Sequence, residues 1–543
     1  MSESSVAQQG AQKVEAIVVG AGVAGLFQVN RLREMGVKVH GIEAGSGVGG
    51  TWYWNRYPGA RFDSQGEIYQ YWFDEQLYKS WKPSERFPAQ PETEKWLNYV
   101  ADKLDLKKEY SFGTKVESAK FNESTGRWTV QTDQGETFDT QFFITCCGML
   151  SAPLTEMFPG QNTFKGQLVH TARWPKEGVD YKGKRVAVVG IGATGIQVIQ
   201  TIAPDVDHLT VYVRTPQYIT PMRNPKYTEA DNKQLHARFE ELKKQCHTSF
   251  AGFDYDLDNG SWHDATHEQR QAVYERLWQD GSLSLWLAAY PEIFSVQEAS
   301  DDISNFVRAK MRARLKNDPK LCDLLIPKDY GFGTHRVPLE TKYLEVYLQP
   351  NVDTVDVKKT PIVGITPKGI KTSDGTELEF DVIILATGFD AGSGALTRIN
   401  IEGRGGRKLK EDWGKDIRTT MGLQVHGYPN LFTTAAPLAP SAALCNMTTC
   451  LQQQAGWIAD TIGYMRDKGL KVMEPTKATE DAWVQHHDDI ANATLLTKTD
   501  SWYMGSNVPG KPRRLLSYAG GVHTYKKACE DVIASGYKGF ELA

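Results

Sequence analysis

Two short apolar runs in the chain each end in a cluster of glycines and pass into a helical pattern. Residues 14–19 (VEAIVV) are followed by GAGVAG at 20–25, and residues 185–189 (RVAVV) are followed by GIGATG at 190–195. Unbroken apolar runs of this length are typical of parallel strands buried on both faces. The two units therefore predict an α/β fold with two Rossmann-like dinucleotide-binding domains.

The first unit has the spacing of a complete dinucleotide site. A helical pattern follows its glycines, and a second strand, 37–42, ends at Glu43, 23 residues after Gly20. In such a site Gly20 allows the tight turn, Gly22 lets the backbone approach a pyrophosphate, and Gly25 packs the helix on the strand. Glu43 stands where a carboxylate accepts hydrogen bonds from a ribose diol.

The second unit differs at the residue that follows its second strand. Residues 209–213 form that strand, and Arg214 and Thr215 follow it instead of an acid. A cation there suits the 2′-phosphate of NADPH, although a strand-end arginine in solvent is also common. The residues expected at this second dinucleotide are Gly190, Gly192, Thr194, Gly195, Gln197, Arg214 and Thr215.

Two cofactor sites in one chain predict hydride transfer between nicotinamide and flavin, with FAD at the first site. Similar apolar strands, 142–145 and 382–385, lead to Gly148 and Gly388 and mark two crossings between the domains. The predicted limits are 1–146 and 385–543 for the FAD domain, 152–223 and 330–384 for the NADPH domain, and 224–329 for an α-helical insertion.

The insertion shows helical periodicity without a chemical signature. Thr266 and Gln269 are spaced as a capping box. A stripe of apolar residues at i, i+3, i+4 spacing predicts a core-facing helix rather than a site; it consists of Ile303, Phe306, Val307, Met311 and Leu315.

Composition excludes several classes of function. The chain has 543 residues, 40% of them hydrophobic and 24% charged, and a net charge of −4, so no global field would recruit nucleic acid or anionic lipid. No apolar stretch is long enough for a membrane span, and the polar tail 1–13 does not resemble a secretory signal. Seven cysteines without a CxxC pair favour the reducing cytoplasm over a disulfide framework, and no metal-binding spacing is present.

An unusual segment, GGTWYWNRYPGARFD, follows the first dinucleotide unit at residues 49–63. Its glycines would allow a ligand close to the backbone, and its aromatic side chains could wall a flat ring system. For Tyr53 and Trp54, packing on the core is at least as good an interpretation. Asp63 beside Arg61 could equally form a surface pair of little energetic value.

A further segment, FKGQLVHTARWP at residues 164–175, fits the pattern FxGxxxHxxxW at Phe164, Gly166, His170 and Trp174. Together with GxWxxxxYPGxxxD at residues 50–63, it resembles the fingerprint of the type I Baeyer–Villiger monooxygenases. The resemblance extends over almost the whole chain. It implies an FAD- and NADPH-dependent enzyme that uses O2, through a flavin C4a-peroxide, to convert a ketone to an ester or lactone.

The resemblance also implies roles for single residues. Arg336 matches the active-site arginine, Asp63 the acid that orients it, and Trp502 a nicotinamide contact on a mobile loop. His170 and Trp174 match a linker that couples domain motion. Gly50 and Arg61 are also expected to bind a cofactor. The positions that contact the flavin in the family are matched by Thr51, Trp52, Tyr69, Val116 and Met447.

Two positions depart from the family pattern. His335 stands where many relatives have a lysine that reaches toward the 2′-phosphate, so we expect a weaker phosphate contact and less discrimination against NADH. Lys176 stands where the fingerprint has its terminal aspartate, a change we expect to be tolerated.

The small residues of segment 437–447, Ser441 and Leu444 among them, lie where relatives line the substrate pocket and favour small aliphatic or cyclic ketones. A flavin monooxygenase that oxidises nitrogen or sulfur is an alternative enzyme, and a dinucleotide-binding sensor is the alternative without catalysis. A disulfide reductase is excluded because residues 26–145 contain no cysteine. We expect a cytoplasmic monomer or weak homo-oligomer.

Overall fold

The computed structural model describes residues 10–543. Residues 1–9 of the predicted polar tail lie outside the described residues. The tail is shorter than predicted, because Gln12 and Lys13 already belong to the first strand and pair with Phe138 and Asp139.

The strands are, in chain order, β1 (Gln12–Val19), β2 (Val39–Glu43), β3 (Tyr110–Phe112), β4 (Val116–Asn122), β5 (Arg127–Thr132), β6 (Thr137–Thr145), β7 (Gln167–His170), β8 (Arg185–Val189), β9 (His208–Val213), β10 (Thr220–Pro221), β11 (Leu339–Glu340), β12 (Val352–Asp356), β13 (Ile362–Ile365), β14 (Gly369–Thr372), β15 (Glu377–Glu379), β16 (Val382–Leu385), β17 (Asn400–Glu402), β18 (Leu431–Thr433), β19 (Met473–Pro475) and β20 (Phe540–Leu542).

The helices are α1 (Val23–Glu34), α2 (Thr51–Trp54), α3 (Glu75–Ser80), α4 (Gln90–Lys103), α5 (Ala193–Ile202), α6 (Glu229–Ala237), α7 (Phe239–Thr248), α8 (His267–Asp280), α9 (Ser284–Leu287), α10 (Gln297–Arg314), α11 (Pro319–Leu325), α12 (Tyr343–Val346), α13 (Gly394–Thr397), α14 (Leu409–Lys415), α15 (Met447–Lys468), α16 (Lys477–Asn492) and α17 (Val522–Ala534).

The first sheet has eight strands, in the order β17-β4-β5-β6-β1-β2-β3, with β18 also paired to β6. At its centre β1 runs parallel to β2 and β6, so that Ile17 lies between His40 and Phe143. Ala16, Ile17 and Val18 of β1 are completely buried because α1 and α15 cover one face of this sheet and further apolar residues cover the other. Strands β17 and β18 come from beyond residue 399, so the sheet combines both ends of the chain.

The second sheet has five parallel strands, in the order β12-β9-β8-β16-β7. Its central pair repeats the arrangement of the first sheet. A Cβ on Gly20, after β1, would lie 2.5 Å from the carbonyl oxygen of Cys146, and a Cβ on Gly190, after β8, would lie 2.6 Å from that of Ala386. Each glycine thus lets the chain turn against the end of the neighbouring strand. The α/β fold with two Rossmann-like sheets is confirmed.

Between residues 229 and 325 the regular structure is helical, from α6 to α11. The capping box predicted at Thr266 is present at the start of α8. The predicted apolar stripe faces the core: Ile303, Val307, Met311 and Leu315 are completely buried, and Phe306 is partly buried against them.

Within residues 10–543, no helix is long and apolar enough to cross a membrane, and no group of three or more potential metal ligands is found. Five cysteines are free. The sulfur atoms of Cys445 and Cys450 lie in contact, with the Cα atoms 7.0 Å apart. The two residues meet because the first turn of α15, which begins at Met447, brings Cys450 back toward Cys445.

Candidate active site

A large cavity, with a volume of about 1530 Å³, lies where the carboxyl ends of the parallel strands of the two sheets meet. Both glycine turns open into it, through Gly20 and Gly22 on one side and Gly190 and Gly192 on the other. Ligands of open α/β sheets bind at this edge, beside the amino ends of the helices that follow the strands. The fold therefore brings both predicted dinucleotide sites into one cavity.

Glu43 ends β2 and faces the cavity beside the first glycine turn. Its carboxylate accepts hydrogen bonds from the amides of Ala21 (2.8 Å) and Gly45 (2.6 Å). Burial raises the pKa of Glu43 above its ordinary value, and these amides and the Trp54 side chain oppose the rise by binding the charged form. The acid is thus held in a fixed position next to a ligand site, as a ribose contact requires.

The backbone beside Glu43 has the shape that a dinucleotide needs. Gly50 has a φ of +54°, and a Cβ built on it would lie 2.8 Å from the Cα atom of Gly22. Any larger residue would therefore force the glycine turn and the start of α2 apart. With both glycines exposed in the cavity, this cradle fits the pyrophosphate of FAD.

Aromatic side chains wall the same side of the cavity. Trp52 donates a hydrogen bond from Nε1 to the hydroxyl of Tyr69 (3.1 Å), and Tyr69 stacks on Phe62 with ring centroids 4.1 Å apart. Burial raises the pKa of Tyr69 to about 12, so its hydroxyl stays protonated. Thr51, Val116, Met447 and Arg61 also line the cavity. The sequence left open whether Tyr53 and Trp54 pack on the core or wall a ligand. Trp54 lines the cavity, whereas Tyr53 packs behind it.

The second glycine turn is open toward the cavity. A Cβ on Gly192 would meet no atom within 4 Å, which leaves room for a pyrophosphate at the amino end of α5. Thr194 and Gln197 from α5 line the cavity, and the hydroxyl of Tyr57 donates to Gln197 Oε1 (2.9 Å). This bond joins the aromatic segment of the first site to the helix of the second.

Arg214 and Thr215 lie on the cavity wall at the end of β9. His335 is close to the same wall and stacks on Tyr330 with centroids 4.1 Å apart. Burial lowers the pKa of His335 to about 4, so the imidazole is neutral near pH 7 and supplies no cation. Lys358, after β12, lies beside Arg214, because β12 pairs with β9 and Val357 donates its amide to Val213 (2.9 Å).

Arg336 reaches the cavity from the segment after the helical insertion. It donates from Nη2 to Asp63 Oδ2 and from Nη1 to the carbonyl oxygen of Ala442, both at 3.2 Å. Its guanidinium lies 5.6 Å from the ring centroid of Trp286. Asp63 is buried; burial raises its pKa, and Arg336 opposes the rise. Asp63 is thus paired with Arg336, and Arg61 pairs with Glu85 instead (3.3 Å).

The four residues of the FxGxxxHxxxW pattern do not line the cavity. His170 ends β7, and its Nε2 lies 3.2 Å from the hydroxyl of Thr387 in the segment after β16. Burial lowers its pKa to about 4. Trp174 is buried in the core, Phe164 packs under the second sheet, and a Cβ on Gly166 would lie 2.4 Å from the carbonyl oxygen of Asp381. These residues stand at a chain crossing between the two sheets.

Several predicted contacts lie behind the cavity wall. Ser441 and Leu444 do not line it, because the turn that bonds Leu444 to the carbonyl of Ser441 points both side chains into the protein. Ala442 and Cys445 of the same turn line the cavity in their place. Gly25 and Gly195 are also away from it, packed on the first glycine of each turn. Trp502 is half-buried and lines the cavity.

Comparison with known proteins agrees with this arrangement. The flavin-binding monooxygenase-like family matches residues 11–251. Acetone monooxygenase (methyl acetate-forming) of Gordonia sp. (strain TY-5) is 61% identical over 530 residues, which cover 98% of this chain and 99% of that protein. A Baeyer–Villiger monooxygenase of Pseudooceanicola batsensis is 38% identical over 525 residues, 96% of this chain and 95% of that protein.

A crystal structure of OTEMO in complex with FAD and NADP has a TM-score of 0.94 to this chain, at 38% identity, and covers 98% of this chain and 100% of that one. The chain belongs to the Baeyer–Villiger monooxygenase family. This monooxygenase binds FAD and NADP, as its two glycine clusters predict, and is an enzyme rather than a dinucleotide sensor.

Some residues at the site of this monooxygenase were not predicted from the sequence. Trp286 and the carbonyl of Ala442 have no sequence signal, since only the fold brings them to Arg336. Lys358 does have a sequence signal, because it follows a strand, as Arg214 does. The carboxyl ends of neighbouring parallel strands lie at the same edge of a sheet. Arg173, next to the fingerprint tryptophan, also lines the cavity.

Proposed function

We propose that this monooxygenase oxidises small ketones to esters, and that Arg336, held by Asp63, is the residue that activates the ketone. One observation carries the proposal: a permanently charged guanidinium stands on the wall of the cavity that both dinucleotide sites share. Bound FAD, reduced by NADPH, supplies the activation of dioxygen. The chain itself contributes the groups that bind and orient the ketone.

Arg336 has N–H groups to spare for the substrate. A guanidinium offers five N–H groups, and the partners found within residues 10–543 take two of them. Arg336 lines the cavity, where its remaining N–H groups can donate to the ketone oxygen and stabilise the negative charge that develops on it. Because arginine does not deprotonate near neutral pH, this charge is always available.

Asp63 and Ala442 keep the guanidinium in one orientation. A buried carboxylate and a backbone carbonyl hold its two terminal nitrogens, and Trp286 lies against it at 5.6 Å. The pair balances charge at a largely buried position, where a lone carboxylate or a lone arginine would be costly. Asp63 therefore positions Arg336 and does not exchange protons with the substrate.

The wall next to Arg336 supports a small substrate. Ala442, Cys445, Met447 and Leu451 form it, and none of them has a polar group suited to holding a charged substituent. The Gordonia relative, 61% identical, is named for acetone and methyl acetate. We therefore propose acetone and butanone as substrates ahead of cyclic ketones, with a monomer or weak homo-oligomer as the working form.

A ketone panel tests this proposal. Purified enzyme is supplied with NADPH, O2 and acetone, butanone, cyclopentanone or cyclohexanone, and the products are identified by gas chromatography. We expect methyl acetate from acetone and a higher kcat/KM for the two acyclic ketones. NADPH oxidation without any ester or lactone would contradict the proposal. A tertiary amine and an organic sulfide in the same panel test for oxidation of nitrogen or sulfur.

A further inference from the structure

Two cations that follow the fingerprint lie against the aromatic pair of the flavin side. Arg173, at the end of the turn after β7, has its guanidinium 4.6 Å from the ring centroid of Trp54. Lys176 has its ammonium 4.7 Å from the ring centroid of Tyr53 and donates to Ser46 Oγ at 3.0 Å. Both contacts join the segment between β7 and β8 of the second sheet to a loop of the first sheet.

The loop under these cations is the one that carries the ribose-binding acid. Ser46 comes three residues after Glu43, and its amide and hydroxyl lie 2.9 and 2.8 Å from the hydroxyl of Tyr53. Trp54 and Glu43 both line the cavity beside this loop. Arg173 and Lys176 therefore lie over the adenosine end of the flavin site rather than over its reactive end near Arg336.

Arg173 also faces an excess of positive charge. Arg173 and Arg398 both line the cavity, both are exposed in it, and neither forms an ion pair with a carboxylate within residues 10–543. Burial and, next, the charge of Arg398 lower the pKa of Arg173. Two arginines on one cavity wall are expected to bind an anion between them. The diphosphate of FAD is an anion that this site receives.

We propose that Arg173 and Lys176 form a clasp, defined by these two residues, that fastens the fingerprint segment over the adenosine end of the flavin site and retains FAD. Arg173 contributes attraction to the cofactor's diphosphate and a face-on contact with Trp54. Lys176 anchors the segment to Tyr53 and Ser46. The proposal concerns FAD and does not depend on which ketone is oxidised.

The clasp gives a meaning to the departure at residue 176. The fingerprint has an aspartate at this position, whereas this chain has a lysine. The face of an aromatic ring is electron-rich and attracts cations. A carboxylate at 176 would be repelled from the ring of Tyr53. The lysine is attracted to the same ring and therefore holds the segment against the loop of the first sheet.

Release of FAD from the holoenzyme tests the clasp. The purified flavoproteins R173A, R173K, K176A and K176D are diluted to nanomolar concentration, and the rise of free-flavin fluorescence gives the dissociation rate, at low salt and at 0.5 M salt. We expect at least tenfold faster release for R173A, three- to fivefold for K176A, and more for K176D than for K176A. The effect of R173A should shrink at high salt because the diphosphate contact is electrostatic.

The matched control is Lys182→Ala, an exposed lysine between the fingerprint and β8 that lies 3.7 Å from Asp205. Its release rate should stay within twofold of the parent. The NADP⁺ dissociation constant of each holoenzyme, measured by titration, should also stay within twofold. A change there without faster FAD release would assign Arg173 to the other dinucleotide and overturn the proposal.

Release rates within twofold of the parent for R173A and for both Lys176 variants would also overturn it. If R173A is purified without flavin, R173K supplies the measurement, because it keeps the charge and loses the flat contact with Trp54. Circular dichroism of every variant separates loss of the fold from loss of the cofactor. Intermediate release by R173K with a native spectrum supports the clasp.

Discussion

Arg336 depends on partners that are remote from it in sequence. Asp63 lies 273 positions away and the carbonyl of Ala442 lies 106 positions away, and the two together fix both ends of the guanidinium. A lysine could replace the charge but has no planar set of donors with which to bind both partners and still face the cavity. The planar geometry of arginine is therefore as important here as its charge.

Replacing Arg336 tests its role directly. We expect Arg336→Ala to be reduced by NADPH at a rate close to that of the parent but to form ester at least a hundredfold more slowly, since loss of one such donor costs about 2.7 to 4 kcal/mol of barrier. Stopped-flow absorbance follows flavin reduction, and gas chromatography follows the ester. Arg312→Ala, an exposed arginine on α10, is the control. Normal ester formation by Arg336→Ala would exclude the proposed role.

At the scale of elements, the carboxyl ends of β9 and β12 form one part of the cavity wall, where we expect the adenosine of the second dinucleotide to bind. Arg214 follows β9 and Lys358 follows β12, and the two strands are paired in register. His335, neutral near pH 7, adds no charge to this wall. The preference for NADPH should therefore depend mainly on Arg214.

Removal of Arg214 should affect the two nicotinamide cofactors unequally. Charge-assisted hydrogen bonds contribute about 1.5 to 3 kcal/mol, so Arg214→Ala should raise the KM for NADPH roughly 10- to 100-fold. The KM for NADH should change less than twofold, because NADH has no 2′-phosphate. Steady-state kinetics with each cofactor measure both values. Arg185→Ala, at the opposite end of the second sheet, is the control. Equal effects on NADPH and NADH would contradict a 2′-phosphate contact.

A buried glutamate, Glu67, joins the segment after Asp63 to the helical region. Glu67 is buried and accepts hydrogen bonds from the hydroxyl of Tyr227 at 3.0 and 3.1 Å. Gln65 donates to Asp254 at 3.0 Å, which places a second buried acid nearby. Burial raises the pKa of Glu67 to about 7, and Asp254 adds to the rise.

This raised pKa predicts how stability depends on pH. The folded state binds the Glu67 proton more tightly than the unfolded state, so its contribution is complete below about pH 4.5 and is lost as pH rises through about 7. Glu67→Gln should remove the loss, which amounts to about 3 kcal/mol at 1.36 kcal/mol per pKa unit. Urea unfolding at pH 5 and pH 8 measures it. Glu241→Gln, exposed on α7, is the control. An equal pH dependence in Glu67→Gln and the parent would show that Glu67 ionises normally.

How much of the site is predictable from sequence depends on how local the signal is. The glycine turns, Glu43 and Arg214 follow from a strand, a turn and a helix within about 25 residues. The resemblance to the family adds Asp63 and Arg336, which no spacing rule connects. Ser441 and Leu444 were predicted to line the pocket and lie behind its wall in the structure, because the direction of a side chain in a turn depends on that turn's hydrogen bonds. Lys176 was interpreted as merely tolerated, because its partner Tyr53 is more than 100 residues away.

At the scale of the whole molecule, the large cavity spans the ends of the parallel strands in both sheets. The hydroxyl of Tyr57 already connects the two sides through Gln197. A dinucleotide bound there contacts elements of both sheets at once and therefore stabilises their arrangement as well as its own site. Cofactor binding and global stability should be linked.

This linkage can be measured as a thermal shift. At 100 times its dissociation constant, NADP⁺ should add about 2.7 kcal/mol to the unfolding free energy of the flavin-loaded enzyme, which corresponds to a few degrees in Tm. NAD⁺ at the same concentration should give a smaller shift, and Arg214→Ala should make the two equal. Differential scanning fluorimetry gives all three values. No shift with NADP⁺ would mean that the cofactor does not bind the native fold.

The pairing of β18 with β6 has a consequence for how the protein is made. β5 covers the first half of one edge of β6, and Leu431–Thr433 cover the rest beside Phe143. On a ribosome that adds about 5 to 20 residues per second, β18 is synthesised roughly 15 to 60 s after β6, and this half of the β6 edge is unpaired during that time. An open apolar strand edge invites pairing with other chains. We therefore expect soluble yield in cells to rise with slower initiation or with a chaperone that holds nascent chains, even though the finished molecule covers this edge.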